Sequence, residues 1–427
     1  MAVDLVVVGL GYVGLPLAQA ACNAGLSVVG LDLQASIVEG LNAGRSHVDD
    51  LSESDIAAML TAGFRATTDA AVIADADTVV VCVPTPLSDE GGPDLGAVLG
   101  ATRTIAAHLH AGQQVILEST TYPGTTDEDV RPLLEVTGLR AGADFNLAFS
   151  PERIDPGNPV YGMKNTPKVV GGHTPACTER AAAFYSRFVD TVVRAAGTRE
   201  AELAKLIENT YRHVNIALMN ELAQFSHLLG VDLWDAIRCA SSKPFGFQAF
   251  YPGPGVGGHC IPIDPNYLSY RVKTQLGQPF RFIELAQEIN AGMPEYVRHR
   301  AQDLLNRERK ALNGATVLLV GVTYKANIAD ERESPVRPLA RALRESGAIV
   351  QYHDAFVPQW NIDFEHGQHD GDRMLETQTD LYAAAASADL VIVLQPHRVY
   401  DLEKLREVSP LLLDTRGILS GPNVERL

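Results

Sequence analysis

The chain has 427 residues, of which 46% are hydrophobic, and a formal net charge of −17. This length predicts two to four domains, each with enough apolar residues for a buried core. The negative charge argues against nucleic acid or an anionic membrane surface as the main partner, because both attract basic proteins. No run of 18 apolar residues is present, so we expect no membrane span. Five scattered cysteines and an N-terminus without signal-peptide features favour a reduced, cytoplasmic protein.

The first 32 residues have the pattern of a dinucleotide-binding unit. It comprises a strand, a glycine turn, a helix and a second strand at residues 3–8, 9–14, 15–24 and 28–32. Gly9, Gly11 and Gly14 allow a tight turn and bring a pyrophosphate close to the helix N-terminus. Asp32 can accept a hydrogen bond from a ribose 2′-hydroxyl and would repel a phosphate there. No arginine follows within three residues, so the pattern favours NAD over NADP.

Further apolar runs predict buried strands at residues 78–83, 114–120 and 146–150. Ligands of open α/β sheets bind beyond the carboxyl ends of the strands. Thr85 and Thr120 are therefore candidates for contact with the dinucleotide, and Glu152 faces the predicted cleft. The alternatives are turn-forming hydroxyls for the two threonines and a solvated loop carboxylate for Glu152.

The middle of the chain reads as mainly helical. Residues 201–229 lack proline and glycine and repeat apolar residues at helical spacing. They predict a helix of about 29 residues, roughly 44 Å long, which could span two lobes and pair with a second subunit. Lys205 and Asn209 share one face of it, although a solvated polar stripe is the alternative. Shorter helices are expected at 231–240 and 282–291, before an exposed basic stretch at 300–310.

Between two of these helices lies a loop, residues 251–265, with four glycines and four prolines around Cys260. Asp264 is expected to cap the following helix, with Pro265 at its first position. A thiol before a helix N-terminus is favoured as thiolate, so we predict that Cys260 is a catalytic nucleophile. The alternative is a small buried apolar residue. His259 suggests zinc, but no second ligand pair appears at metal spacing, and no metal is expected.

A second, smaller α/β domain without GxGxxG follows. Its strands are predicted at 316–321, 348–353, 390–394 and 411–414, with a helix at 335–346. Tyr324, Lys325, Arg332 and Arg416 lie at or just beyond strand ends, where basic groups suit a diphosphate. Ordinary surface ion pairs are the alternative. The predicted domains are 1–196 (NAD-binding), 197–300 (helical, carrying the cysteine loop) and 301–427 (the second α/β domain, with the basic groups that suit a diphosphate).

Taken together, these motifs resemble the UDP-glucose/GDP-mannose dehydrogenase family over essentially the whole chain. They are Gly9-x-Gly11-x-x-Gly14, Val83-Pro-Thr-Pro86, Ser119-Thr120, Ser150-Pro-Glu152, Lys205-x-x-x-Asn209, Gly257-Gly-His-Cys260, Tyr324-Lys325, Arg332-Glu-Ser and Asp414-x-Arg416. The resemblance implies an α/β fold of two Rossmann-like doubly wound domains, joined by a long central helix and a small helical middle domain. It also implies a homodimer through the central helix, and oxidation of the C6 alcohol of a nucleotide-linked sugar to a carboxylate with two NAD per sugar.

The resemblance also implies roles for individual residues. Cys260 would be the nucleophile, Glu152 a general base and water activator, Lys205 the stabiliser of an oxyanion, and Thr120, Asn209 and Asp264 would position water and the C6 oxygen. NAD would contact Gly9, Gly11, Tyr12, Val13, Gly14, Asp32, Val83, Pro84, Thr85, Thr120 and Arg332. The nucleotide-sugar would contact Glu152, Arg153, Lys205, Asn209, Tyr251, Gly255, Gly257, Tyr324, Lys325 and Arg416.

Two departures bear on the sugar. The UDP-glucose branch usually has a second glutamate where this chain has Pro156, and a lysine where it has Ile263. The chain looks closer to the branch acting on UDP-N-acetylhexosamines (UDP-GlcNAc, or UDP-ManNAc or GalNAc). Alternatives are a UDP-glucose 6-dehydrogenase and a two-electron hydroxyacid-type NAD dehydrogenase, which would not need Cys260. A non-catalytic NAD or nucleotide-sugar sensor is a third, but the intact candidate residues argue against it.

Overall fold

A computed structural model describes residues 3–48, 50–88, 92–154, 158, 160–258, 260–362 and 374–427. The chain divides into two compact units. Unit 1 comprises Met1–Asn209 and Ile263–Pro279, and unit 2 comprises Thr210–Pro262 and Phe280–Leu427. Pro156 and His259, which entered the sequence analysis, lie outside the described residues.

Unit 1 is built on a mainly parallel sheet. Its strands are Val3–Val8 (β1), Val28–Leu31 (β2), Arg65–Thr67 (β3), Ala76–Val81 (β4), Gln114–Leu117 (β5), Asn146–Phe149 (β6), Lys168–Gly172 (β7) and Val192–Arg194 (β8). The strand order is β3-β2-β1-β4-β5-β6-β7-β8, and only the β6–β7 pair among these described strands is antiparallel. Along β1, Leu5 and Val7 pack into one hydrophobic cluster and Val6 and Val8 into another. Both faces of the sheet are therefore covered, as expected of a doubly wound parallel sheet.

The helices of the chain lie between and after these strands. They are Gly14–Asn23 (α1), Ala35–Asn42 (α2), Glu53–Thr61 (α3), Gly96–Ala106 (α4), Arg131–Glu135 (α5), Pro175–Tyr185 (α6), Thr198–Leu228 (α7), Leu233–Ser241 (α8), Asp264–Leu276 (α9), Arg281–Arg307 (α10), Val336–Glu345 (α11), Leu381–Ser387 (α12) and Leu402–Val408 (α13). The predicted long helix is confirmed as α7, with 31 residues. Among the described residues, no helix is both long and apolar enough to cross a membrane.

Unit 2 has its own parallel sheet. The remaining strands are Thr316–Val320 (β9), Ile349–His353 (β10), Gln359–Asn361 (β11), Met374–Glu376 (β12), Leu390–Val393 (β13), Leu412–Asp414 (β14) and Val424–Arg426 (β15). The sheet order is β10-β9-β13-β14-β15, while β11 and β12 form an antiparallel pair. Val317 and Leu319 pack on one side of β9, and Leu318 and Val320 on the other. The fold class is confirmed: two Rossmann-like α/β sheets, each covered on both faces.

Two expectations for residues 282–310 are wrong. Helix α10 does not end near residue 291 but continues through Pro294 to Arg307. Its apolar face, with Met293, Val297 and Ala301, is buried in the core of unit 2, and this packing outweighs the cost of an internal proline. Arg300 is likewise not exposed, because its side chain is buried against Glu425 at 2.8 Å.

Candidate active site

The glycine turn after β1 is shaped by close packing at two of its three glycines. Gly9 has a φ of 92°, and a Cβ there would lie 2.7 Å from the carbonyl oxygen of Cys82. A Cβ on Gly14 would overlap the carbonyl oxygen of Gly9. A Cβ on Gly11, in contrast, would meet no atom of the described residues within 4 Å. Gly9 and Gly14 are thus required by the fold, whereas Gly11 leaves an open approach to the backbone that suits a pyrophosphate.

Asp32, directly after β2, has a fixed and partly exposed carboxylate. Its Oδ2 accepts a hydrogen bond from the backbone N–H of Leu10 and its Oδ1 one from that of Gln34, both at 2.9 Å. These bonds orient the carboxylate at the carboxyl end of its strand, beside the turn. The remaining lone pairs of the Asp32 carboxylate can accept hydrogen bonds from the ribose hydroxyls of NAD, so this arrangement fits the cofactor.

The other predicted NAD residues of unit 1 lie at the same sheet edge. The hydroxyl of Ser119 donates to the carbonyl oxygen of Val83 at 2.7 Å and joins the segment containing Thr85 to the one containing Thr120. The carbonyl oxygen of Thr85 also accepts a hydrogen bond from the Tyr267 hydroxyl of α9. Tyr12 and Pro84 are exposed, and Val13 is partly buried. Arg332 belongs to unit 2, where its guanidinium forms two hydrogen bonds with Asp330, at 2.9 and 2.7 Å.

Four of the predicted catalytic residues meet within unit 1. The ammonium of Lys205 donates to the backbone carbonyl of Glu152 at 2.9 Å, and the side-chain amide of Asn209 donates to Oδ2 of Asp264 at 2.6 Å. All four residues are buried. The alternatives of a solvated polar stripe on α7 and a solvated loop carboxylate at Glu152 are therefore wrong.

Asp264 does not cap α9 as expected. Ile263 occupies the flanking position with helical dihedrals, and Asp264 is the first residue of the helix, with Pro265 following in the first turn. Its carboxylate instead points to Asn209, which replaces the backbone amides that a cap would use. Burial raises the pKa of Asp264 to about 6, although the charge of Lys205 and the hydrogen bond from Asn209 act in the opposite direction.

Both oxygens of the Glu152 carboxylate are occupied. Oε1 accepts from the backbone N–H of Arg153 at 2.7 Å and of Ile154 at 2.6 Å, and Oε2 faces the ammonium of Lys168 at 3.1 Å. Burial alone would raise the pKa of Glu152, but Lys168, the Ile154 amide and Lys205 hold it below its ordinary value. The side chain of Arg153, predicted to bind substrate, pairs with Glu208 at 2.7 Å.

Sequence reasoning missed Lys168 and its second partner, Glu118. Two signals were available in the sequence: Lys168 is the first residue of a strand that is otherwise apolar, and Glu118 directly follows another mainly apolar strand. An unpaired charge is not stable in a sheet covered on both faces, so each of these residues needs a partner. Glu202 was missed as well. It lies on α7 three residues before Lys205, and its carboxylate accepts from Gly124 N at 2.6 Å and from Thr126 N at 2.9 Å. Burial raises its pKa to about 7.

Cys260 lies in unit 2 and is exposed, so the alternative of a buried apolar residue is wrong. Its loop is anchored near its start by two buried asparagines. The backbone N–H of Gly253 donates to Oδ1 of Asn220 at 2.9 Å, and the amide of Asn220 donates to Oδ1 of Asn290 at 2.8 Å. Near its end, Gly258 donates to the carbonyl oxygen of Glu333 at 3.1 Å.

The glycines of this loop lie close to the predicted nucleotide-sugar residues. A Cβ on Gly257 would lie 2.7 Å from Glu333 O and 2.9 Å from the Cβ of Tyr324, and one on Gly253 would lie 3.1 Å from the Arg416 guanidinium. A Cβ on Gly255, where φ is 131°, would lie 2.7 Å from Pro335.

Unit 2 thus assembles the cysteine loop with Tyr324 and Arg416. Lys325, next in the chain, is partly buried. Tyr251, at the loop's start, stacks on Trp234 with ring centroids 5.7 Å apart.

Unit 1 carries a glycine turn and an acid that fit a dinucleotide, and unit 2 carries an exposed cysteine on a loop that approaches Arg416, which together are typical of a nicotinamide-dependent dehydrogenase of a nucleotide-linked substrate. Models of the UDP-glucose/GDP-mannose dehydrogenase family match the chain at residues 3–189 (NAD binding domain), 199–292 (central domain) and 318–421 (UDP binding domain). The chain belongs to this family, and is therefore an NAD-dependent oxidoreductase with a UDP binding domain.

Relatives with named activities are similar to this chain over almost their whole length. The chain is 35% identical to the UDP-N-acetyl-D-mannosamine dehydrogenase of Salmonella typhi, covering 96% of this chain and 98% of the relative. It is 34% identical to the UDP-N-acetyl-D-glucosamine 6-dehydrogenase of Pseudomonas aeruginosa, with 93% and 96% covered. The solved structure of the UDP-D-ManNAc dehydrogenase from Pyrococcus horikoshii matches with a TM-score of 0.87 and 30% identity, over 99% of this chain and 98% of that one.

Proposed function

We propose that the protein oxidises the C6 hydroxyl of a UDP-N-acetylhexosamine to the carboxylate, with two NAD consumed per sugar. The observation that carries the proposal is the buried group formed by Glu152, Lys205, Asn209 and Asp264. In the sequence, Asp264 comes four residues after the exposed Cys260. Charged side chains are rarely buried unless they are paired or functional. The relatives above, named for UDP-N-acetyl-mannosamine and UDP-N-acetyl-glucosamine, support the sugar class.

The proposed chemistry assigns the covalent step to Cys260. When bound, NAD supplies the acceptor for the hydride that leaves C6 in each oxidation. The Cys260 thiolate adds to the aldehyde from the first oxidation and gives a thiohemiacetal, which becomes a thioester in the second. Lys205 stabilises the oxyanion of the adduct, a contribution commonly worth about 10²–10³ in rate. Water then hydrolyses the thioester, releasing the carboxylate and the thiol.

Two buried carboxylates provide the proton acceptors. With a pKa raised to about 6, Asp264 is ionised at neutral pH and basic enough to accept the proton of the C6 hydroxyl. Glu152 takes the proton of the hydrolytic water. Because Asp264 must be ionised, we expect kcat to fall as the pH drops below about 6. An Asp264→Asn variant should lose turnover at every pH, and a profile without an acidic limb would contradict the role of Asp264.

NADH release tests the reaction against its alternatives. The substrates are UDP-N-acetylglucosamine, its galacto and manno isomers, UDP-glucose and GDP-mannose, and Cys260→Ser is the matched variant. We expect two NADH per UDP-N-acetylhexosamine, and no acid from Cys260→Ser. Preference for UDP-glucose would support the UDP-glucose alternative. One NADH with released aldehyde would indicate a two-electron enzyme, and tight binding without turnover would indicate a sensor.

We further propose a homodimer formed through α7. Tyr211, Leu218, Leu222 and Phe225 follow one another at spacings of seven, four and three residues and are all exposed, which is typical of a helix-pairing surface. Light scattering tests this: Leu218→Glu with Phe225→Glu should give a monomer, while Leu276→Glu, at an exposed leucine of α9, should not. A dimer that persists in the double variant would contradict it.

We also propose that the chain works in the cytoplasm, where thiols such as Cys260 remain reduced. Its division into three functional parts, residues 1–196, 197–300 and 301–427, is proposed as in the sequence analysis. Domain fragments that bind NAD or UDP alone would test that division.

A further inference from the structure

Lys168 lies at the centre of a buried ionic cluster in unit 1. Its ammonium is 3.1 Å from Oε2 of Glu152 and 3.1 Å from Oε1 of Glu118, and its side chain is 4% exposed. The strands that contribute these residues differ: Lys168 opens β7, Glu118 follows β5 and Glu152 follows β6. Burial alone would lower the pKa of Lys168, but the two carboxylates raise it above its ordinary value. The ammonium is therefore a permanent charge held between two acids.

Glu118 has two further neighbours besides Lys168. The hydroxyl of Tyr185 on α6 donates to Oε1 of Glu118, and the thiol of Cys82 lies 3.9 Å from Oε2. Burial raises the pKa of Glu118, although the charge of Lys168 opposes this. Tyr185 and Cys82, whose own pKa values burial raises well above their ordinary ranges, remain neutral donors. Glu118 thus has a defined place, and it fixes the position of Lys168.

We propose that Lys168 is a positioning residue for the Glu152 carboxylate, which it aims and keeps ionised, and that Glu118, oriented by Tyr185, is the anchor that fixes Lys168. The inference rests on the proposed function for the step that Glu152 performs. The contacts that carry it are the two 3.1 Å ion pairs and the two backbone N–H groups on the opposite oxygen of Glu152.

The second carboxylate of the cluster, Glu118, keeps Lys168 paired when Glu152 takes up a proton. A general base has to take up a proton, and a buried base paired with a single lysine would leave that lysine without a counterion when protonated. In this cluster Glu118 continues to balance Lys168 after Glu152 is protonated. The titratable groups that face Glu152 from the surrounding elements are Lys168 (β7), Glu118 (after β5), Lys205 (α7) and Cys82 (after β4), while Tyr185 (α6) faces Glu118.

The inference predicts shifts of opposite sign for the two partners of Glu152. Lys168→Met removes the attracting charge, so Glu152 should bind its proton about tenfold or more tightly. Glu118→Gln removes a repelling charge and leaves Lys168 to Glu152 alone, so the proton should bind more weakly. Infrared difference spectroscopy over a pH titration measures this directly, through the C=O band of the protonated carboxyl. Comparison with the same variant carrying Glu152→Gln assigns the band to Glu152.

Turnover supplies the second measurement. Because Asp264 limits kcat below about pH 6, a titration of Glu152 at lower pH is hidden in that profile, and kcat at neutral pH is the readout. It should fall in Lys168→Met, in which the Glu152 carboxylate is no longer aimed, and recover in part in Lys168→Arg, which restores the charge. Because Lys168→Met leaves two buried acids without a cation, Lys168→Met/Glu118→Gln is the variant to use if the single one does not fold. Arg300→Met, at another buried cation paired with a glutamate, is the matched control. It should lower stability without moving the Glu152 band.

The outcomes separate this inference from the proposed function. An unchanged Glu152 band in Lys168→Met, or the same shift in Arg300→Met, would overturn the positioning role. So would shifts of the same sign in Lys168→Met and Glu118→Gln. If the band moves as expected while kcat of Lys168→Met at neutral pH equals that of wild type, the positioning role of Lys168 is supported, and the proposed part of Glu152 in turnover is wrong.

Discussion

The first strand of the sheet in unit 1 and the first strand of the sheet in unit 2 are followed by the same backbone turn. Gly9 after β1 and Gly321 after β9 have φ values of 92° and 80°. Each donates its N–H to the carbonyl of the last residue of the neighbouring strand, Leu31 at 2.8 Å and His353 at 2.9 Å. The first glycine of the motif is therefore a requirement of this strand-to-turn geometry, whether or not a dinucleotide is bound.

The acids that follow the second strands differ in what holds them. Asp32 accepts the N–H of Leu10 at 2.9 Å, and Asp354 accepts that of Val322 at 2.7 Å in the equivalent position. Asp32 stays partly exposed, whereas Asp354 is buried against Nε2 of His397 at 3.0 Å. The same fold position thus leaves the acid open to a ligand in unit 1 and pairs it with a buried side chain in unit 2. The difference shows that a side chain from elsewhere in the chain decides which role an acid takes.

The later glycines differ as well. Where unit 1 has Gly11 and Gly14, unit 2 has Thr323 and Ala326 at the same spacing after its first glycine. Thr323 thus carries a side chain at the position where Gly11 leaves an open approach to the backbone, and Ala326 stands where unit 1 needs a glycine for packing. The sheet of unit 2 therefore lacks the open glycine position that suits a pyrophosphate in unit 1.

The largest expected effect is on stability. Asp354→Ala should lower the free energy of unfolding by about 2–6 kcal/mol, because it leaves the buried Nε2–H of His397 and the buried N–H of Val322 without their acceptor. Asp32→Ala should cost only about 1 kcal/mol, because water can replace the carboxylate at a partly exposed site. Urea denaturation of both variants measures the contrast. Equal losses of unfolding free energy in the two variants would mean that Asp32 and Asp354 stabilise the fold to the same extent, which would contradict this comparison.

The next effect is on cofactor binding. Asp32→Ala should raise KM for NAD roughly 10- to 100-fold, as expected for the loss of about 1.5–3 kcal/mol from hydrogen bonds to a charged group. Steady-state kinetics at saturating UDP-sugar measures it. Asp354→Asn is the control and should leave KM for NAD unchanged in the folded fraction. A normal KM in Asp32→Ala would remove Asp32 from the cofactor site.

The glycines give a smaller effect of the same kind. Gly11→Ala should raise KM for NAD by about tenfold with an unchanged unfolding midpoint, since its Cβ meets only the open approach. Gly321→Ala should lower the unfolding midpoint and leave KM for NAD unchanged in the folded fraction. A Cβ at its positive φ would lie 2.6 Å from the Cβ of Gln395, which strains the turn. Thermal unfolding and NAD titration of the two variants test this. A destabilised Gly11→Ala would show that the turn itself needs that glycine.

The smallest effect concerns pH. Burial would raise the pKa of Asp354, but the hydrogen bond from His397 and its electrostatic attraction, with two backbone amides, hold it below the ordinary value of 3.8. A carboxylate with a lowered pKa stabilises the folded state above that ordinary value, and this contribution is lost as the pH falls through the lower folded-state pKa. The stability advantage of wild type over Asp354→Asn should therefore be constant near neutral pH and shrink below about pH 4. Urea denaturation at stepped pH measures it, and an advantage that grows on acidification would reverse the assignment.

Local patterns were enough to predict much of the molecule. The apolar runs identified the main strands of both sheets to within a few residues, and the proline-free segment identified α7. The spacing of the glycines and Asp32 predicted the dinucleotide turn, and the glycine and proline content of residues 251–265 predicted the loop that carries Cys260. These features depend on residues near one another in the chain, so the sequence reports them directly.

What the sequence by itself determined is therefore the order of elements, the fold class and the family to which the chain belongs. Only the tertiary structure decided which charges are buried and with whom they pair. Lys168 meets Glu152, Asp264 turns from its helix amides to Asn209, and Arg300 is buried. The physical reason is that desolvation and ion pairing depend on residues brought together from distant parts of the chain, about which a local pattern carries no information.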